Sequence, residues 1–487
     1  MPTPQPRQVK AKPRVFVTTD IGNEPDDSES LIRYLLYSNE FRTEGLVPCT
    51  STHQRTFTRP DLIHVALRGY AQVVKNLNAH THPGNPYPEP EELFSLVRSG
   101  PPVYGRDALE PGTPLADGTK LLIERVDRSD ENLWILCWGG SNVIAQALQH
   151  IQKTRSPQAL ASFTSKLRIY MISDQDDTGP WIRLHFPYIF LICSVHGWCQ
   201  YRTASWWGIA CPEDGVDRNL FSNDWLKTNI QLGPLGRVYP DPAWQIEGDT
   251  PSFLYLIPNG LGSPEHPSWG TWGGRYDSVD PSFQVNHYSD AVDVVVGKDG
   301  KSYCSNFATV WRWAEAFQND FAARMQWTLH ADFTKANHAP VAIVNGEADT
   351  ALPLCIEVEA GETIHLDSSQ SYDPDGDALT FTWFHYKEPT IAMGVWDLLI
   401  PNIEIVDIDE VPGRKVQITM PLVGQCAVDY KTGEPQRKGH TYHFILEVKD
   451  NGTPALVSYK RVIVQTTNKH LQGRRPPLPR VADWEPK

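Results

Sequence analysis

The sequence predicts an α/β domain built on a mainly parallel sheet, followed by a smaller β-sandwich. Three observations carry this reading. Through the first half, short β-branched or apolar runs alternate with amphipathic helical segments. Several of those runs end in a polar, turn-rich loop. Beyond about residue 336, helical spacing gives way to short alternating strands punctuated by Asp and Gly.

Taken in order, RVFVTT (14–19) is a buried-type strand that closes on Asp20. The segment IGNEPDD then leads into SESLIRYLLYSNEF, where Leu31, Leu35 and Leu36 keep helical spacing. Asp26, Asp27 and Ser28 crowd its start, as a helix N-terminus favours. GLVPCTS is a second strand running into Thr50–His53, with a helix expected over Pro60–Leu77. After a Pro-rich loop at 83–115, ENLWILCWGGSNVIAQALQHI reads as strand, glycine turn and amphipathic helix; KLRIYMIS is the next strand and ends in DQDDTG. Parallel sheets bind ligands beyond the carboxyl ends of their strands. The loops 20–27, 50–55, 138–142 and 174–179 all leave that edge.

APVAIVNG, GETIHLDSSQSYDPDGDALTFTWFHY, GRKVQITMP and HTYHFILEVKDNG supply the sandwich strands. The expected division is an α/β domain over 10–336, a sandwich over 337–470 and an irregular tail over 471–487. Within the sandwich, Asp373, Asp375 and Asp377 alternate like EF-hand ligands but lack the twelve-position spacing and terminal Glu, so turn chemistry is the favoured reading.

The 44 basic against 58 acidic side chains give a net charge of −14, with no Lys/Arg run. That excludes a general binder of nucleic-acid polymers, whose affinity rests on basic patches. No stretch is long enough to span a bilayer, and Met1–Pro13 has no apolar core, so no membrane role is expected; the literal reading is cytoplasmic, or secreted if a leader was removed. A homodimer is expected on base rates. The eight cysteines form no CxxC; Cys137 and Cys193 sit in apolar runs and read as buried thiols, while a Cys199–Cys211 bridge stays open.

Asp20, Glu24, Asp26 and Asp27 place four carboxylates in one strand-to-helix loop. Like charges so close repel unless a cation neutralises them, and oxygen donors on a flexible loop favour Ca2+ over Mg2+. The competing reading is a solvated acidic loop with Asp26 or Asp27 capping the helix. Aromatic residues stack well on sugar rings, although core packing is their commoner fate. Trp138, Trp181, Trp206, Trp207, Trp269 and Trp272 are the candidates for a sugar or base platform, and Arg275 for pairing with a carboxylate.

TTDIGNEPDD resembles the DxDxxxDD loop of the inosine-uridine nucleoside hydrolases, which binds one calcium, and CWGGSNVIAQAL resembles that family's GPLTNIALAL segment. EGDTPSFLYL resembles its late HDPxA segment. More closely, NEPDDSESLIRYLLYSNEF, TSTHQRT, WGGSNVIAQAL, DQDDTGPWI, GDTPSFLYLIPNGL, PSWGTWGGRY and NDFAARMQW resemble a nucleoside-hydrolase-like family described as cellulose-binding, with a C-terminal immunoglobulin-like domain.

The resemblance implies metal ligation by Asp20, Asp26, Asp27, the Ser141 carbonyl and Asp249, the last preferred to Asp290 or Asp320. Asn142 follows Ser141 as in the family. Thr18 stands where the hydrolases have their first Asp, the loop is two residues longer, and their ribose-binding AEFN segment is replaced by DQDDTGPWIRLHF. The implied function is calcium-dependent hydrolysis of an N- or O-glycosidic bond in a small glycoside or nucleoside. Asp20 would take the proton of a water, with His53 favoured over Asp174, Asp177 and His185 as leaving-group acid. Glu24, Asn142, Asp177, Trp181, Trp272 and Arg275 are the expected substrate contacts and Asp174 a further catalytic candidate. The alternative is a non-catalytic carbohydrate-binding protein on the same fold.

Overall fold

The computed structural model describes residues 5–194, 198–210, 215–280, 282, 284–390, 400–429, 432 and 434–471, with the side chains of 198–200 excepted. The Cys199–Cys211 pairing and the tail from 472 onward lie outside the described residues.

Seven strands form the main sheet: β1 (Arg14–Thr19), β2 (Arg42–Pro48), β3 (Leu133–Cys137), β4 (Leu167–Met171), β5 (Phe190–Cys193), β6 (Tyr276–Ser278) and β7 (His287–Asp290), in the order β2-β1-β3-β4-β5-β7-β6. All neighbours are parallel except β6 against β7. β1 is buried throughout because both of its faces are covered: Val15 and Val17 enter one core, Phe16 the other. Cys137 and Cys193 are buried free thiols, as expected.

The helix expected over Pro60–Leu77 is broken. It runs from Pro60 to Ala71, tightens as the Gln72 and Val73 amides bond back three residues to Gly69 and Tyr70, and a short helix resumes at Val74–Ala79. The 83–115 loop is also less irregular than its proline content suggests. It carries a helix at Pro90–Ser95 that starts on its proline, where the missing N–H is harmless.

A hairpin of β8 (Asp293–Val296) and β9 (Ser302–Ser305) precedes the sandwich. Its strands are β10 (Leu354–Glu359), β11 (Thr363–Asp367), β12 (Thr380–Tyr386), β13 (Ile405–Asp407), β14 (Lys415–Thr419), β15 (Lys438–Lys449) and β16 (Val457–Thr467). One sheet is β10-β16-β15-β12 and the other β11-β14-β13, closed on a core that includes Leu366, Ile418, Phe444 and Val462. Sequence patterning does not single out β16, because the alternation that starts at Val457 is broken by the adjacent Lys460 and Arg461, although residues 457–464 are all buried.

The two domains share apolar packing. Tyr386, Ile445, Val457 and Tyr459 of the sandwich belong to the same core as Trp272, Trp313 and Phe321 of the first domain. The amides of Tyr459 and Arg461 bond to the carbonyls of Asn259 and Gly260 at 3.0 and 3.1 Å, so a loop of the first domain covers the stretch of β16 that β10, paired only from Val462 onward, leaves open. Gly260, at φ +92°, permits this approach; a Cβ there would strike the Tyr459 carbonyl.

Candidate functional site

The carboxyl ends of the parallel strands are zipped together by their loops. The Trp138 amide bonds to Thr18 O at 2.8 Å, Gly140 N to Thr50 O at 2.9 Å and Thr52 N to Gln175 O at 2.7 Å. Gly139 is small because a Cβ would lie 2.9 Å from both the backbone nitrogen and the Cβ of Asp20. Above this edge opens a cleft of about 630 Å³, with Asp20, Glu24, Asp26, Asp27 and Asp249 among its lining residues.

The acidic loop is not solvated: Asp20, Asp26 and Asp27 are 3 %, 5 % and 4 % exposed. The helix Asp26–Leu36 starts without a side-chain cap, so the capping reading falls away. Carboxylate oxygens of Asp26, Asp27 and Asp249 lie within 4.8 Å of one another. Burial, then the charges of its neighbours, raises Asp27 and Asp249 well above the usual carboxylate range. Asp20 and Asp26 are raised too, burial again leading, against hydrogen bonds from Ser51 and Gln245 respectively. Asp27 is held by the Thr19 hydroxyl, and the Gln245 amide donates to Asp26 Oδ2 at 2.7 Å.

Asp249 arrives on a turn pinned from below. Glu247 receives Arg33 Nη1 at 2.7 Å and the Tyr239 hydroxyl at 2.7 Å, with Arg33 and Glu247 both fully buried. Trp138 Nε1 donates to Ser252 Oγ at 2.7 Å, and that hydroxyl donates to Asp249 O at 2.7 Å. Asp249 Oδ2 is buried and meets no hydrogen-bond partner among the described residues. An orphaned buried carboxylate oxygen facing two other carboxylates is the environment a hard divalent cation satisfies, so these residues fit the group the sequence implies.

Other expected site residues are placed elsewhere. Ser141 lies behind the floor: its carbonyl accepts the Ile144 and Ala145 amides at 3.0 Å each and its hydroxyl meets Thr178 Oγ1 at 2.7 Å. Asn142 Nδ2 ties loops together through Thr50 Oγ1 and Val103 O, both at 2.9 Å. Asp174 is paired with Arg183 at 2.8 and 2.6 Å, and Asp177 Oδ1 accepts the Arg106 amide at 2.8 Å. Trp181 packs on the second core against His185 and Phe186.

Trp272 and Arg275 need outright correction as ligand contacts. Both are 2 % exposed; Trp272 donates toward the Tyr459 hydroxyl at 3.3 Å, and Arg275 pairs with Asp293 at 2.7 Å and Asp277 at 2.9 Å. Their glycine-rich segment is covered by the sandwich rather than by ligand. Asp290 and Asp320 are also engaged elsewhere, by Ser194 Oγ at 2.7 Å and by Arg324 Nε at 2.8 Å.

The cleft has residues the sequence did not single out: Gln175, Tyr201, Arg202, Thr203, Trp244 and Gln245. Trp244 is 91 % exposed and left-handed at φ +72°, with Glu247 at φ +46° three residues on. Trp138 and Trp207 also reach the cleft, Trp207 stacked on the buried Trp206 with ring centroids 4.4 Å apart. His53 is exposed and lines the same cleft.

A family model described as the cellulose-binding Sde182, nucleoside hydrolase-like domain matches residues 14–276, and one described as the C-terminal domain of the cellulose-binding protein Sde0182 matches 363–466. A nucleoside hydrolase-related hypothetical protein from Saccharophagus degradans, associated with carbohydrate metabolism, has a solved structure 31 % identical to this chain. That match covers 94 % of this chain and 100 % of the other at a TM-score of 0.75. A plant nucleoside hydrolase is 13 % identical over 66 % of this chain and 100 % of its own, at a TM-score of 0.32. The inosine-uridine preferring nucleoside hydrolase of Bacillus anthracis is 11 % identical over 65 % and 99 %, at 0.31. A search of curated proteins finds no match.

Proposed function

The chain belongs to the cellulose-binding Sde182 family, with its nucleoside hydrolase-like domain and C-terminal domain, and from that premise we propose that the acidic cleft is a calcium-dependent site for hydrolysing a glycosidic bond in a small glycoside. The observation that carries the reading is the buried convergence of Asp26, Asp27 and Asp249, with Asp20 beside it, under a cleft roomy enough for a sugar. Bound there, calcium supplies charge neutralisation and a field that eases deprotonation of a water.

The chain's own residues supply the rest. Asp20 receives the water's proton, held in place by its Ser51 hydrogen bond and by the close backbone of Gly139. Gln245 fixes the Asp26 carboxylate, and Glu24, 3.4 Å from the same amide, faces the substrate space. Trp138, Tyr201, Trp207 and Trp244 line the cleft with apolar surface for sugar rings. His53, which approaches from the loop after β2, is the group we assign to protonating the leaving group.

A second reading, carbohydrate binding without turnover, is favoured by Trp244. An exposed indole held in a left-handed backbone at the cleft suits capture of a sugar face whether or not a bond is cut. The deciding experiment incubates calcium-loaded and chelator-treated protein with nucleosides and short glycosides, reading released sugar. Calcium-dependent release that Asp20→Asn abolishes supports the hydrolase. Saturable binding with no release in any panel member leaves the binding reading.

A further inference from the structure

Among the described residues a second group of three carboxylates converges far from the cleft in sequence. Asp373, Asp375 and Asp377, on the turn between β11 and β12, bring carboxylate oxygens within 4.8 Å of one another. Asp373 Oδ1 accepts the amides of Asp375 at 2.8 Å and Asp377 at 3.1 Å, which is the turn chemistry expected from the sequence. Turn chemistry occupies only that oxygen. Asp373 is 5 % exposed, and its Oδ2 is buried without a hydrogen-bond partner among the described residues.

An independent group on the loop after β15 has the same need. Asp450 is 4 % exposed; its Oδ1 takes the Gly452 and Leu456 amides at 2.9 Å each and Asn337 Nδ2 at 3.1 Å. Its Oδ2 is again buried and unpartnered among the described residues. The two loops are tied by the Ala378 amide on Asn451 Oδ1 at 2.9 Å. They also feel each other. Asp373 is pushed up to about 6 by burial, with Asp375 and Asp450 adding, and Asp450 is raised by burial, with Asp377 adding. Two bare buried carboxylate oxygens among like charges lack only a positive charge.

We propose that the Asp373–Asp375–Asp377 turn and Asp450 form a divalent-cation site, for calcium, that fastens the sandwich to the α/β domain. Oxygen donors drawn from two loops suit the large, adaptable coordination of calcium better than the tight octahedron of magnesium. The fastening runs through the interdomain segment. Asp375 meets His338 Nδ1 at 3.0 Å and accepts the His338 amide at 2.8 Å. His338 Nε2 lies 2.9 Å from His80 Nδ1, and His80 Nε2 lies 2.7 Å from His330 O. Phe333 stacks on His338 at 3.7 Å. A cation that fixes Asp375 thereby fixes one end of a hydrogen-bonded row reaching into the first domain. The site is independent of the chemistry of the cleft.

The test is calorimetric titration of calcium into the chelator-treated chain, the parent set beside Asp373→Asn, Asp450→Asn, Asp377→Asn and Asp249→Asn. Asparagine keeps an oxygen for the backbone amides, and half-buried Asp377 offers a variant that leaves the fold intact, checked by circular dichroism. Each sandwich variant is expected to lose one calcium equivalent, or to bind it about tenfold or more weakly, and to lose the share of calcium's rise in Tm that this site supplies, while Asp249→Asn keeps that equivalent and that share. Without calcium, the Asp373 and Asp450 variants melt at or above the parent, because repulsion has been removed. Unchanged stoichiometry and Tm response in folded sandwich variants overturns the site, as does the absence of any calcium equivalent surviving Asp249→Asn.

Discussion

At the scale of single residues, Trp244 separates the roles of backbone and side chain. A left-handed Trp carries strain on the order of 1 kcal/mol or more, which glycine would relieve. Trp244→Gly is therefore expected to unfold at the same or higher denaturant concentration while binding sugar about tenfold more weakly, for the loss of one ring face; equal affinity would remove Trp244 from the site. Sequence does not disclose this residue, because nothing in AWQIEG marks a positive φ on a tryptophan. Asp20, Asp26 and Asp27 were legible for the opposite reason: acids clustered at the end of an apolar run repel one another unless a cation joins them. Trp272 and Arg275 misled because a glycine-rich loop says that something packs closely on it, without saying what.

Among the elements, the turn leading to the helix Thr250–Leu254 rests on one buried ion pair. Replacing Arg33 by Met leaves Glu247 buried without its cation, a loss of about 3–5 kcal/mol, measurable by chemical denaturation. It should also loosen Gln245 and Asp249 and so weaken whatever cation the cleft holds.

Strand β12 makes a pH prediction. His385 packs against Tyr442 and Phe444, both its ring nitrogens are buried and unpartnered among the described residues, and burial lowers it to about 3, with Lys387 adding. Its folded value lies below the ordinary histidine value, so the unfolded chain takes up the proton first. The contribution is whole above about pH 6.5 and falls by about 1.4 kcal/mol per pH unit as pH drops toward the folded value. His385→Phe should flatten that slope; an unaltered profile would mean that the ring is already solvated. β1 to β4 were legible because their runs are short and bounded, whereas β7 (HYSD) has too little apolar character to be read as a strand. β16 was not, because the adjacent Lys460 and Arg461 interrupt its alternation.

For the whole molecule, the decisive feature is the seam. Asp293 sits between Arg275 and Arg312 at 2.7 Å each and accepts the Tyr386 hydroxyl at 2.7 Å, so ions and rings of both domains interlock. One calorimetric endotherm is expected for the intact chain. Tyr459→Ala, which empties a shared core position, should cost about 3–5 kcal/mol and split that endotherm; two endotherms in the parent would contradict the shared core. A change of pattern near residue 336 is visible in the chain itself, but the seam is not, since contacts such as Arg461 on Leu261 O join positions with no local signature.

The covering of Asn259 and Gly260 by β16 also orders events during synthesis. Domains ordinarily fold in turn as they leave the ribosome. Here the apolar face around Trp272 and Trp313 waits for Tyr459, which belongs to the domain made after it. Until the sandwich has been made, the nascent chain carries a finished sheet with one unfinished wall.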